Sequence, residues 1–386
     1  MTNNNLTEPE EDATSMIHTG AQTPSAHSMT LLSQLLLTSP DDGSTNSPLR
    51  AEMKSDVHNL DRTMFDNLVE LASANHVVVR GLEAFLDLLR EEEDGLRAEW
   101  ARNALITERA RIANALQFLQ EICRVFERQQ FDVVVIKSLD HWPDLGNDLD
   151  MYTGVDSAEV IALMKKNFQA QTGPRSWGDR LAGKWNFYIP GLPEAVEIHM
   201  SRLGQTGEQA MFAARLTARA RNIVLNGVTF RVPSASDRLI ISTLQRMYRH
   251  FYFRLCDIVD STELSESGEI DFNDLYASAS QAGIWEGVAT YLVIVSDYVK
   301  KYRGTGLALP QIVTESARFD GGEIYFAREF LRVPIMPQSA RLYASQLAGL
   351  VKKRELQNCA RLSLLPCLAT AAFVGQRITG SDKGIW

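Results

Sequence analysis

The chain has 386 residues, 45% of them hydrophobic and 23% charged, enough for two or three domains and typical of globular rather than fibrous or wholly disordered proteins. Its formal net charge of -9 excludes a protein that grips long nucleic acid by general phosphate neutralisation, which needs clustered Lys and Arg. A local basic pocket is still allowed, because the field that steers an anion depends on local clustering, and Arg175, Arg180, Lys184 and Arg202 are candidates for it.

Residues 1–55 are rich in Asn, Thr, Ser, Pro and acids and read as a disordered N-terminal tail, since such a segment buries too little surface to offset its ordering entropy. The apolar patch Leu31 to Leu37 is the exception, a helix that a partner could order. Glu8, Glu10, Glu11 and Asp12 replace the basic start of a signal peptide. Residues 56–129 carry apolar side chains at helical spacing in three groups: Phe65 to Leu71, Leu82 to Leu89 and Ile112 to Phe126. Glu91 to Asp94 reads as a solvated loop or helix end.

At Phe131 the texture changes. Val133, Val134, Val135 and Ile136 form a short β-branched run that predicts a buried strand. After a loop with Trp142, Pro143 and Gly146, Asp148-Leu149-Asp150-Met151-Tyr152 alternates acid and apolar, so Asp148 and Asp150 share one strand face while Leu149 and Met151 enter the core. Asp156 or Ser157 caps a helix to Phe168. Further strands are expected over Trp185 to Ile189 and over Ala195 to Met200, the latter with Glu197 and His199 on one face. Asn226-Gly227 predicts a hairpin turn, and helical spacing returns from Ser236 onward. The expected organisation is an α+β chain: helices over 56–129, a small mixed β-sheet core over 130–232, and a helical domain over 233–386. Leu364 to Val374 is apolar but too short to span a bilayer and reads as a buried helix.

Two aspartates on one strand face beside Glu197 on another raise one another's pKa and cost stability unless a cation neutralises them. A divalent metal such as Mg2+ or Mn2+ suits hard carboxylate oxygens and completes its shell with substrate phosphates. On this reasoning, replacing any of the three acids by its amide should relieve repulsion. Cys123, Cys256, Cys359 and Cys367 show no CxxC pair and no zinc-ligand spacing, and as free thiols they suit a reducing cytoplasm.

The run Val133 to Ser138, a loop, and then Gly146-Asn147-Asp148-Leu149-Asp150-Met151-Tyr152 resembles the polymerase-beta-like nucleotidyltransferase superfamily. More narrowly, Ile136-Lys137-Ser138, Asp148-Leu149-Asp150 and Glu197-Ile198-His199, in that order, resemble a bacterial family of uncharacterised nucleotidyltransferases. Leu71 to His76, Val232 to Asp237 and Arg254 to Ile258 are similar to flanking helical segments of that family. The resemblance implies transfer of a nucleoside monophosphate from a nucleoside triphosphate to a small molecule, a peptide or an RNA end. It also implies that Asp148 and Asp150 bind metal, that Glu197 completes the site, and that Lys137 and Ser138 meet the phosphates. The family commonly has Gly where this chain has Ser138, so the turn is expected to sit differently. A non-catalytic relative with the same fold is the alternative reading. Lys137 also reads as a surface lysine at a strand end, and His199 as either a substrate-orienting or a structural histidine. His250 and Arg254, with Tyr248 and Asp257, could line the cleft, although Arg254 and Asp257 have the spacing of a plain helix ion pair.

Overall fold

The computed structural model describes residues 24–38, 48–90 and 94–379. Among the described residues five helices come first: α1 (Pro24–Leu37), α2 (Pro48–His58), α3 (Arg62–Ala74), α4 (Val78–Leu89) and the long α5 (Gly95–Arg128). The mixed region follows with β1 (Val133–Val135), β2 (Asp148–Thr153), α6 (Ser157–Phe168), β3 (Gln171–Thr172), α7 (Trp177–Leu181), β4 (Lys184–Tyr188), β5 (Ala195–Met200), α8 (Ala210–Arg219) and the hairpin β6 (Arg221–Leu225) and β7 (Val228–Val232). Beyond it lie α9 (Ala235–Gln245), a π-helical turn over Arg246–His250, β8 (Tyr252–Phe253), α10 (Leu255–Glu266), α11 (Phe272–Ala282), α12 (Trp285–Arg303), α13 (Gln311–Ser316), β9 (Tyr325–Ala327), β10 (Phe330–Arg332), α14 (Ala340–Lys352), α15 (Leu356–Ser363) and α16 (Leu365–Thr379).

The central sheet has the order β1-β2-β5-β4-β3. The β2 and β5 strands are parallel, and the other pairs are antiparallel. The fold is therefore α+β, a small mixed sheet between helical segments. Alternation works on β2 as its sequence dictates: Leu149 and Met151 are completely buried, as a half-polar strand against a core requires. Asp156 caps α6 through the Ala158 N–H at 2.8 Å, Asp94 caps α5 through Arg97, and Ser234 caps α9 through Asp237.

Two expectations fail. Within the stretch read as a disordered tail, α1 and part of α2 are ordered, and Leu31, Leu32 and Leu37 are buried where α1 packs on α3, α4 and α12. Ser33 bonds to Tyr298 at 2.8 Å, and Arg303 Nε donates to the Leu37 carbonyl at the end of α1 at 2.9 Å. The partner that orders the Leu31 patch is the chain's own core, more than 260 residues away in sequence, a contact that composition cannot reveal. Residues 1–23 and 39–47 of that expectation, and 91–93 of the acidic loop, lie outside the described residues. At the other end, Leu364 to Val374 is largely helical as expected but not buried: Leu364 and Val374 are 44% and 46% exposed. No helix among the described residues is long and apolar enough to cross a membrane. A small sheet ordered β8-β10-β9 has no counterpart in the sequence reading.

Candidate active site

The carboxylates meet because β2 and β5 run parallel in a register that sets Asp150 directly beside Glu197. Arg111 on α5 sets the starts of both strands. It donates to the Leu145 and Gly146 carbonyls just before β2, at 2.8 and 3.2 Å, and to Glu194 just before β5, at 2.5 Å. Ser138 ties the preceding turn to β2: its hydroxyl accepts the Asp150 N–H at 2.7 Å and donates to the Asp148 carbonyl at 3.3 Å. Lys137, with φ 61° and ψ -58°, is the centre of a γ-turn closed by the Ser138 N–H on the Ile136 carbonyl at 2.6 Å, a strained conformation that costs about 1–3 kcal/mol.

Lys137 Nζ is in ionic contact with Asp150 and lies 3.7 Å from Glu197 Oε1. Lys184 Nζ lies 2.6 Å from Glu197 Oε2 and 3.3 Å from Asp179, and His199 Nε2 is 2.8 Å from Glu197 Oε1. Burial opposes charge on Glu197, but Lys137, His199 and Lys184 hold its carboxyl well below the usual range. Burial likewise opposes charge on Lys137, and Asp150, Glu197 and Asp148 outweigh it and raise its pKa. Asp148 differs. Repulsion from Asp150, helped by burial, pushes it up to about 6, and among the described residues no ion pair within 4.0 Å involves it. Neutralisation of these acids, expected from a metal alone, comes in large part from two lysines.

The donor chemistry still suits a hard cation. Asp150, Glu197 and His199 place ligand atoms within 4.8 Å of one another, and Asp148 adds a carboxylate beside Asp150. Such an oxygen-rich set fits Mg2+ or Mn2+.

These acids form one wall of a cavity of about 250 Å³. The facing wall comes from the end of α9, the π-helical turn and β8: Gln245, Arg246, Arg249, His250, Tyr252 and Arg254. Arg246 pairs with Asp257 at 2.7 Å. Arg254 stacks its guanidinium against Tyr252 and Phe330, each at 5.9 Å, and makes no side-chain pair with Asp257, which accepts the Arg254 backbone N–H instead at 2.6 Å. Burial first, then the positive charge of Arg249, Arg246, Lys137 and Arg254, holds His250 well below the ordinary histidine range. A cationic wall thus faces an acidic one across a space large enough for phosphates.

Residues 64–299 match the family described as uncharacterised nucleotidyltransferase. The chain belongs to that family. It is also similar to the crystal structure of an antigenic nucleotidyltransferase-like protein from Paracoccidioides brasiliensis, at 12% identity and a TM-score of 0.33, over 53% of this chain and 97% of that one. Comparison with curated proteins gives no match.

The matched segment holds every carboxylate of the site and both cavity walls. Of the side chains singled out from sequence, Lys137, Ser138, Asp148, Asp150, Lys184, Glu197, His250 and Arg254 line the cavity. His199 stands behind Glu197 and lines a separate small pocket, while Tyr248 is buried in the core. Arg175, Arg180 and Arg202 are elsewhere: the first two lie over Trp185 and Trp177, and Arg202 bonds to the Gly207 carbonyl. Of the basic wall, sequence singled out His250 and Arg254 but not Arg246 and Arg249, which sit in what reads as an ordinary amphipathic helix. Only the π-helical widening, a feature often found at functional sites, turns both toward the cavity.

Proposed function

We propose that this chain transfers a nucleoside monophosphate from a nucleoside triphosphate to an acceptor hydroxyl. The observation that carries the reading is the in-register pairing of Asp150 with Glu197 beside Asp148, facing Arg246, Arg249 and Arg254 across one cavity. Asp148, Asp150 and Glu197 would hold Mg2+ or Mn2+. When bound, the ion supplies charge neutralisation at the phosphates and at the attacking oxygen.

The protein's own groups do the rest. Arg249 and Arg254 bind the anionic triphosphate, with Arg246 fixed behind them by Asp257. Lys137, kept charged by its acidic neighbours, can turn from Asp150 toward a phosphate oxygen, and Ser138 fixes β2 through its backbone rather than meeting phosphate. His199 and Lys184 hold Glu197 ionised and oriented. Preorganised charge of this kind is worth a hundredfold or more per group, on the order of 3 kcal/mol.

The proposed core over 130–232 supplies the acids, and the helical part after 233 supplies the basic wall. The acceptor is a small molecule, a peptide or an RNA end rather than long nucleic acid, given the net charge of -9. Four free cysteines support a cytoplasmic setting. The test is incubation of the purified protein with each labelled nucleoside triphosphate, Mg2+ or Mn2+ and cell extract. Label should pass to an acceptor with the unmodified chain and not with Asp150→Asn. Equal labelling by both would sink the reading.

A further inference from the structure

Besides His250, the cavity is bordered by two further histidines, His76 and His141. With Cys256 they form a second cluster whose ligand atoms all lie within 4.8 Å of one another; His76 and Cys256 are buried and the His141 side chain is 11% exposed. They come from three separate parts of the chain: the α3–α4 turn, the turn after β1, and the first turn of α10. We propose that His76, His141 and Cys256 are a binding site for Zn2+, separate from the carboxylate site.

Each of the three side chains is held in place by its surroundings. His141 Nδ1 is in contact with the Asp260 carboxylate, which leaves Nε2 directed at Cys256 Sγ, 3.9 Å away. A carboxylate behind a histidine is the usual support of a metal-ligating imidazole, because it fixes both tautomer and ring orientation. Asp260 is itself fixed by Arg80 at 2.6 Å.

His76 is only 5% exposed, and neither ring nitrogen has a hydrogen-bond partner. A buried, unpaired polar ring is costly unless something satisfies it. Its position is nevertheless specified. Asn75, the residue before it, accepts the Leu255 N–H with its side chain at 3.0 Å and the Cys256 N–H with its backbone carbonyl at 3.2 Å. Gly146 allows the ring to lie close, since a Cβ there would come within 3.0 Å of His76 Cε1.

Two imidazoles and one thiolate are a borderline-soft set that suits Zn2+ rather than Mg2+. Zn–S of about 2.3 Å and Zn–N of about 2.0 Å call for donor separations near 3.3–3.6 Å, so the three side chains need to close by roughly one ångström. Three protein ligands leave a fourth position for water or a ligand from the cavity. Such an ion would join the N-terminal helices, the sheet region and the C-terminal helices beside the nucleotide cavity.

The experiment is metal analysis of the full chain after loading with one equivalent of Zn2+ and gel filtration, together with Co2+ substitution. We expect one Zn2+ per chain and, with Co2+, the near-ultraviolet charge-transfer absorption of a cobalt–thiolate bond. Cys256→Ser and His76→Asn should weaken retention at least tenfold. Glu197→Gln, Asp150→Asn and the triple replacement of Cys123, Cys359 and Cys367 by Ser should leave it unchanged. Failure to retain Zn2+, retention that survives Cys256→Ser, or loss in Asp150→Asn would each overturn the proposal. Should the Cys256 or His76 variant fail to fold, the cobalt spectrum of the unmodified chain and of the triple variant decides by itself, because the Asp150–Glu197–His199 cluster contains no sulfur.

Discussion

Replacing Asp148 and Glu197 by their amides should move stability in opposite directions, although the two acids belong to one site. Asp148 is pushed from 3.8 up to about 6 by Asp150 and by burial. Two pKa units correspond to about 3 kcal/mol, and partial exposure of the side chain lowers this to about 1–2 kcal/mol through solvent screening. An acid whose folded pKa is raised stabilises most below its unfolded value and progressively less as pH climbs through the folded one. The chain therefore loses stability between about pH 4 and pH 7 on account of Asp148, and Asp148→Asn escapes that loss. Its gain should be full at pH 8 and smaller at pH 5.

Glu197 is the reverse case. Its charge faces Lys184 at 2.6 Å, His199 at 2.8 Å and Lys137 at 3.7 Å, all nearly buried, so Glu197→Gln leaves Lys184 with Asp179 alone and Lys137 with Asp150, a loss of about 2–3 kcal/mol, below the full cost of a stranded buried charge. Because its folded pKa is depressed, that contribution is present above the ordinary carboxylate pKa and fades only in acid. Denaturant melts of both variants at pH 5 and pH 8, with chelator and without nucleotide, measure the two signs. Destabilisation by Asp148→Asn, or stabilisation by Glu197→Gln, would refute this account of how the acids are neutralised. The same melts test the simpler expectation that relieving repulsion is equivalent at these two positions.

Leu31→Ala removes a completely buried side chain from α1 and should cost about 2–5 kcal/mol; an unchanged melting midpoint would mean that α1 does not dock. Arg80→Met strands Asp144 and Asp260, which it meets at 2.9 and 2.6 Å, and a loss of about 3–5 kcal/mol is expected, with wild-type stability as the contrary result. Under the proposed function, Arg249→Ala and Arg254→Ala should each weaken nucleotide binding about tenfold, the scale of one charge-assisted contact, read by calorimetry in the presence of Mg2+; unaltered affinity in both would remove the basic wall from the site. Glu159→Gln, exposed on α6, should change neither melting nor transfer, and a defect there would show that the carboxylate effects are not specific.

Strand periodicity alone was enough to set Asp148 and Asp150 on one face of β2 and to bury Leu149 and Met151, because alternation is a property of a few consecutive residues. Local signals also predicted the cap at Asp156, the hairpin at Asn226-Gly227 and the return to helix near Ser236. The short motifs from Ile136 to His199 carried the family resemblance, which the match over 64–299 bears out. What sequence could not decide is which strands are neighbours. The parallel register that brings Glu197 to Asp150 joins residues 47 apart through a crossover, and only the assembled sheet selects Lys137 and Lys184 as their counter-charges. Arg246 and Arg249 of the basic wall depend on a π-helical turn that looks like ordinary helix in one dimension. The burial of α1 depends on Tyr298 and Arg303, and His76, His141 and Cys256 lie far apart along the chain with no ligand spacing to read. Local patterns fix the direction of a side chain relative to its own backbone; its partner is fixed by long-range packing, and the electrostatics of this site are set almost entirely by such partners.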